Sequence, residues 1–150
     1  MNVHSNSPRV EDILQRLRRA GHRITPQRLA ILRAFADSHS HPSVDMVYAA
    51  VKPNFPTTSL ATVYKTVVLL KELGEVMEIG FGEGGNRYDV RVPTPHPHLV
   101  CTRCRRILDA ELDALDHLTE TLAQSTGFRI LSHRVDFYGI CPECRRKAAH

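Results

Sequence analysis

The sequence predicts an α+β chain in two parts: an N-terminal winged helix-turn-helix and a small C-terminal α/β domain. Three observations predict it. Helical periodicity with clear start and stop signals fills most of residues 8–74 and leads into a two-stranded hairpin. Alternating proline and histidine (Pro93, Thr94, Pro95, His96, Pro97, His98) then form a connector unable to continue a sheet ladder or enter a helix. Beyond it, two Cys-x-x-Cys pairs bracket a β-β-α-β order.

Each element has its own signal. Ser7 and Pro8 read as an N-cap and first helical residue, followed by Val10, Ile13, Leu14 and Leu17 at helical spacing, with Gly21 as the stop. Thr25-Pro26 repeats the start, and Leu29, Leu32 and Phe35 carry that helix to about Ser38. Ser43 caps a third helix with Val44, Val47, Tyr48 and Val51, ended by Pro53. A fourth runs from Ser59 to Leu73 and stops at Gly74. Strands follow at Val76–Phe81 and Arg87–Val92, joined by the flexible tip Gly82-Glu83-Gly84-Gly85-Asn86. After the connector come strands Leu99–Cys101 and Ile107–Ala110, then a helix from about Leu112 to Ser125 stopped by Gly127. A final strand is expected over Phe128–Tyr138. The expected division is therefore 1–92, a hinge at 93–98, and 99–150.

Length fits this division, since 150 residues with 42% apolar content make one compact domain or two small ones. The longest purely aliphatic run, Val67 to Leu70, falls far short of the ~18 residues of a membrane span. The start, Met1 to Pro8, lacks the basic and apolar regions of a secretory signal, so a cytoplasmic protein is expected. Net charge is +4, and it is unevenly placed. Residues 1–75 hold ten Lys/Arg against six Asp/Glu, whereas residues 76–150 hold ten of each. The whole excess lies in the first half, as expected if that half meets a polyanion.

The cysteines carry the most specific chemistry. Cys101 and Cys104 form one pair and Cys141 and Cys144 the other, with 36 residues between the pairs and no further cysteine. Two residues between thiolates let both point at one ion, and two such knuckles make the tetrahedral four-sulfur set of structural Zn(2+). Two disulfides or a redox-active pair are the competing readings. The missing export signal disfavours the first, and a redox motif has no need of duplication. Metal binding would supply folding energy that a small domain lacks.

On a helical wheel the fourth helix places Leu60, Val63, Val67 and Leu70 on one side. Its N-terminal turns then expose Ser59, Thr62, Tyr64 and Lys65, suited to phosphate oxygens and base edges in a major groove. Val68 and Leu69 blur the pattern, so a core helix with a wet face is the competing reading.

Taken together, Arg-Ile-Thr-Pro-Gln-Arg (23–28), His41-Pro42, Ser-Leu-Ala-Thr-Val-Tyr (59–64), the Pro/His connector and the two cysteine pairs resemble the ferric-uptake-regulator (Fur) superfamily. The likeness runs in consistent order from about residue 9 to residue 147. It implies a homodimeric, metal-dependent transcriptional repressor whose winged helix binds an AT-rich palindrome in double-stranded DNA and whose C-terminal domain dimerises. By the same resemblance Tyr64 matches a tyrosine that touches thymine, and Arg23 and Arg28 join the candidate DNA contacts.

Nitrogen and oxygen ligand types gather around the connector. His96 and His98, two apart in extended chain, can face one side. Asp89 lies on the second wing strand, Asp109 on the strand after the first cysteine pair, and His41 in the loop opening the third helix. Imidazoles and carboxylates without thiolate suit Fe(2+) or Mn(2+). Each also has an ordinary reading: Asp89 beside Arg87 or Arg91, His41 as a solvated loop residue. The resemblance places all five at the regulatory metal site, clamping the reader to the dimerisation domain. With aspartate at both acidic positions, where iron-uptake members usually carry glutamate, it points to the peroxide-sensing branch. There Fe(2+) and peroxide oxidise site histidines, His41 and His96 by position, and DNA is released. An iron-responsive repressor without peroxide sensing is the alternative.

A third metal site of some members is not expected. Pro95 and Pro97 stand at two of its ligand positions, leaving Asp116 and His133. His133 shares strand parity with Leu131, Val135 and Phe137 and reads as a partly buried packing residue. Asp113, Asp116 and Glu120 read as a solvated helix face, with Leu112, Leu115 and Leu122 inward. Two other classes remain: a metal-dependent hydrolase, for which no general base is evidently placed, and a zinc-stapled interaction module, which needs neither the His/Asp set nor the basic first half.

Overall fold

Every helix of the first half begins on a hydroxyl that accepts a backbone N–H from its own first turn. Ser7 accepts from Val10 (3.3 Å), Thr25 from Arg28 (3.1 Å), Ser43 from Met46 (3.2 Å) and Ser59 from Thr62 (3.2 Å). Such caps stabilise a helix by about 1 kcal/mol each and set its starting residue. The helices are α1 (Pro8–Arg19), α2 (Pro26–Ala36), α3 (Val44–Val51) and α4 (Leu60–Glu72). Gly74, at φ +69°, takes the left-handed turn that ends α4 and that a side chain would resist. This is a computed structural model describing residues 5–80 and 85–148. The chain divides into two units, Met1–Pro93 and Thr94–His150.

In the first unit Ile13, Leu14 and Leu17 of α1 meet Ile31, Leu32 and Phe35 of α2, and Val47, Val63, Val67 and Leu70 of α3 and α4 complete one core. Each of these large side chains contributes about 1.5–3 kcal/mol by leaving water. Strands β1 (Met77–Ile79) and β2 (Arg87–Asp89) form the antiparallel wing, with Glu78 opposite Tyr88. They are shorter than expected, although Val90, just past β2, is buried. Phe81 and the tip residues Gly82, Glu83 and Gly84 lie outside the described residues. The Tyr88 ring meets Phe35 edge-on, centroids 6.1 Å apart, so the wing is seated on the helical core.

A buried ion cluster fastens α1 to the start of the wing. Arg9 Nη1 lies 2.7 Å and Arg16 Nη1 2.8 Å from opposite oxygens of the buried Glu75 carboxylate, and Arg9 Nε donates to the Val90 carbonyl (2.7 Å). Nothing in the sequence pattern singled out these residues.

The second unit has strands β3 (His98–Cys101), β4 (Ile107–Asp109) and β5 (Asp136–Gly139), with helices α5 (Ala114–Thr126) and α6 (Pro142–Ala148). Sheet order is β4-β3-β5: β3 pairs antiparallel with β4 and parallel with β5. Thus His98, expected in the connector, opens the central strand, because its backbone N–H reaches the Val135 carbonyl (3.2 Å). Gly127 (φ +75°) ends α5 as expected.

Two expectations for this unit are corrected. Residues 128–135 are not strand: regular pairing begins only at Asp136, and Phe128 and Leu131 are 74% and 84% exposed. Likewise Leu112 and Leu122 are exposed and Leu115 is half-buried, rather than all three turned inward. One physical reason covers both. The described residues of this unit bury few large apolar side chains, Val100 and Ile107 foremost, so within the unit α5 and the 128–135 segment have little apolar surface to pack against. His133 is half-buried, and Asp113, Asp116 and Glu120 are exposed as expected.

Candidate metal centres and nucleic-acid interface

The four cysteines converge although the two pairs are far apart in sequence. Cys101 closes β3, Cys104 ends the turn after it, Cys141 follows β5, and Cys144 lies in the first turn of α6. Parallel pairing of β3 with β5 sets Cys101 opposite Gly139, which brings the second pair alongside the first. All four sulfurs lie within 4.8 Å of one another, with Cys104 and Cys141 3.8 Å apart, and none is in a disulfide. A zinc tetrahedron with ~2.3 Å arms has edges of about 3.8 Å, so the donor set fits the ion.

Backbone amides prepare these sulfurs for a cation. The Cys141 N–H donates to Cys101 Sγ (3.3 Å) and the Cys144 N–H to Cys141 Sγ (3.4 Å). Donation from Cys141, then from Cys104, pulls the Cys101 thiol down to about 6, and the Cys144 amide lowers that of Cys141. Cys144, beside the Cys141 sulfur, is pushed up to about 12. Crowded sulfurs that cannot all ionise together are what a divalent cation resolves. Arg106 joins the two knuckles from outside, its Nη2 donating to Glu143 Oε2 (2.6 Å).

The five other candidate ligands fall in two sets, one in each unit. In the first, His41 Nε2 lies 3.1 Å from Asp89 Oδ2, and both side chains are buried. The loop that holds His41 is fastened to β2: the Tyr88 N–H donates to the Pro42 carbonyl (3.0 Å), Ser43 bridges to Arg87, and Arg87 Nε donates to the His41 carbonyl. His41 itself sits at φ +53°, an uncommon conformation for a residue with a side chain, which aims its ring at the wing. Asp89 Oδ1 accepts the Val92 N–H (3.0 Å), which fixes the carboxylate.

In the second unit His96 Nε2 and His98 Nε2 lie 3.1 and 3.4 Å from the same oxygen, Asp109 Oδ1. His98 and Asp109 are register partners across β3 and β4. Because a carbonyl only accepts, the 2.7 Å contact of His96 Nδ1 with the Thr94 oxygen places a proton on Nδ1. A neutral ring then turns its Nε2 lone pair toward the carboxylate, and a protonated ring its second N–H. Asp136, not among the candidate ligands read from the sequence, lies 3.2 Å from His98 Nδ1. A carboxylate inside an otherwise apolar strand run was the signal available for it.

The candidate DNA contacts occupy the first unit. Tyr64 is 50% exposed, and Ser59 and Lys65 are exposed too. Thr62 is half-buried, its hydroxyl 2.9 Å from that of Ser59. Val63, Val67 and Leu70 are buried as expected, but Leu60 is 37% exposed; the cap at Ser59 places it in the outward first turn, and Thr66 fills the inner face instead. Arg23 is exposed, whereas Arg28 Nη1 donates to the Arg23 carbonyl (2.6 Å) and so braces that loop.

Comparison with known proteins follows the same lines. The profile of the ferric uptake regulator family matches residues 19–138. The peroxide-responsive repressor PerR of Staphylococcus epidermidis is 38% identical over 138 residues, covering 92% of this chain and 91% of that protein. The solved structure of PerR from Streptococcus pyogenes, described for peroxide sensing and gene regulation, is 33% identical, with a TM-score of 0.53 over 96% of this chain and 98% of that one. The Helicobacter pylori ferric uptake regulator Fur has a TM-score of 0.78 over 97% of both chains at 17% identity, a likeness of fold.

Proposed function

This chain belongs to the ferric uptake regulator family and is a metal-dependent transcriptional repressor, not an enzyme; from that premise we propose that it binds an AT-rich palindromic operator as a homodimer in the cytoplasm and releases it on exposure to peroxide. The observation that carries this reading is the donor chemistry. Three imidazoles and two carboxylates, with no thiolate and with aspartate at both acidic positions, suit Fe(2+) or Mn(2+). Relatives similar over most of their length are peroxide-responsive repressors.

In this account Cys101, Cys104, Cys141 and Cys144 hold structural Zn(2+), and His41, Asp89, His96, His98 and Asp109 share one regulatory ion. Sharing it couples metal binding to the arrangement of reader and dimerisation domain, and hence to DNA affinity. A swing from 1:99 to 99:1 between open and DNA-competent forms needs about 5.5 kcal/mol of differential metal binding. Iron, when bound, would supply the redox chemistry that cleaves the peroxide O–O bond. The chain's part would be to hold the imidazoles of His41 and His96 beside it, each oxidised ring taking one oxygen of a peroxide whose other oxygen leaves as water.

On the DNA side, Ser59, Thr62, Tyr64 and Lys65 enter the major groove from the start of α4, with Arg23 and Arg28 at the flank. The exposed leucines of α5 and the 128–135 segment are covered by a second copy, which sets the two readers on the two half-sites. Duplex binding measured across salt, with Mn(2+) and after chelation, tests the reading. Metal-dependent binding with a steep negative salt slope supports it, and metal-independent or salt-insensitive binding refutes it.

A further inference from the structure

We propose that Asp136 is a positioning residue for the regulatory metal: its carboxylate holds the Nδ1–H of His98 and thereby presents the Nε2 lone pair to the ion. This rests on the reading above, in which His98 is a ligand. His98 is fully buried on the central strand, so its ring nitrogens must find their partners within the protein. One nitrogen, Nδ1, lies 3.2 Å from Asp136 Oδ1; the other, Nε2, lies 3.4 Å from Asp109 Oδ1. A neutral imidazole carries a single N–H, and the two carboxylates compete for it.

His98 is a register partner of both carboxylates, of Asp136 across the parallel β3–β5 pair and of Asp109 across β3–β4, so the backbone ladder fixes both approaches. Two features then settle the competition in favour of Asp136. Asp136 is itself braced, its second oxygen accepting from Arg134 Nε (3.2 Å). Asp109 Oδ1 is also the neighbour of His96 Nε2, whose proton the Thr94 carbonyl has drawn to Nδ1. In their neutral tautomers both rings then turn Nε2 toward Asp109 Oδ1, a set of two imidazole nitrogens and one carboxylate oxygen that a cation can bridge. Carboxylate-to-imidazole-to-metal relays of this kind fix the tautomer and raise ligand basicity, and losing the outer carboxylate costs about 10–100-fold in metal affinity.

The test uses the full-length, zinc-loaded protein and Mn(2+) as the probe. Two readouts are taken: Mn(2+) affinity by titration, and the His98 tautomer from ring ¹⁵N shifts before Mn(2+) is added. Asp136→Leu is expected to weaken Mn(2+) binding about 100-fold and Asp136→Asn, whose amide oxygen can still accept, about tenfold. Both should move His98 away from the Nδ1–H form, and Asp136→Glu should restore both readouts in large part. Zinc content and far-UV circular dichroism report folding. If Asp136→Leu does not fold, Asp136→Asn and Arg134→Met, which frees the carboxylate from its brace, still decide the matter. A tautomer or an affinity unmoved by Asp136→Asn overturns the proposal. His98→Ala separates the two levels: if it leaves Mn(2+) affinity intact, the regulatory-site reading itself fails; if it abolishes binding while Asp136→Asn changes nothing, only the positioning role fails.

Discussion

His41 Nε2 lies 3.1 Å from Asp89 Oδ2, a contact made between a loop and a wing strand that are 48 positions apart and zipped together by Arg87 and Tyr88. Held this way, an imidazole and a carboxylate form half of a chelate before any ion arrives. His41→Ala and Asp89→Ala are each expected to weaken Mn(2+) binding by at least about 100-fold, the top of the range for loss of an outer partner, and to abolish Mn(2+)-dependent operator binding. Zinc content should not change, because the cysteine set lies in the other unit. Metal titration and elemental analysis of the same samples check both statements.

The Glu75 cluster gives a stability prediction. Its carboxylate is buried between Arg9 and Arg16, so Glu75→Ala leaves the largely buried Arg9 with only the half-exposed Asp12, 3.5 Å away, as counter-charge. Breaking such a pair costs about 3 kcal/mol. Arg16 is half-exposed and can turn to water, which keeps the loss at the lower end of the usual range. Denaturant unfolding monitored in the first unit should show it, and an unchanged midpoint would remove the cluster from the account.

These two sites mark what was legible in the sequence. Capped helices, Gly74 and Gly127 were readable because their signals are local: a hydroxyl three residues before its amide partner, a glycine where φ turns positive. His41, Asp89, His96, His98 and Asp109 were selected by ligand chemistry and resemblance; the folding adds the contact of His41 with Asp89 and those of His96 and His98 with Asp109. Glu75 was not readable, and Asp136 showed only as a carboxylate in an apolar run, since each matters through a partner brought to it by tertiary folding. The strand expected over residues 128–135 failed for the complementary reason. Its apolar alternation is real, but the described residues of its own unit bury little apolar surface for it to match, which leaves its apolar side chains as an exposed surface.

That surface yields the next prediction. Leu118 and Leu122 on α5, with Phe128 and Leu131 after it, are exposed large apolar side chains on consecutive stretches. Leu122→Asp or Phe128→Asp should convert a dimer to monomer at micromolar concentration, read by light scattering, without unfolding the first unit. A dimer surviving both changes would place the homodimer contact elsewhere.

Tyr64 and Lys65 separate two kinds of DNA contact. Both are exposed on α4, so alanine at either position leaves the fold intact. Lys65→Ala should weaken binding to all duplexes alike and reduce the salt slope by about one. Tyr64→Ala should cost about 1–3 kcal/mol on the operator and little on unrelated DNA. Salt-dependent titrations of operator and scrambled duplexes distinguish the two.

The central claim is that peroxide acts through iron held by His41 and His96 among the ligands. Load the full-length, zinc-containing protein with Fe(2+) or with Mn(2+), add low hydrogen peroxide, then measure operator binding and the masses of the peptides containing His41 and His96. The account predicts that the iron-loaded protein releases DNA and gains one oxygen's mass per oxidised histidine, while the manganese-loaded protein keeps both its DNA and its masses. Intact binding with unchanged masses in the iron sample would contradict it, leaving an iron-responsive repressor that does not sense peroxide.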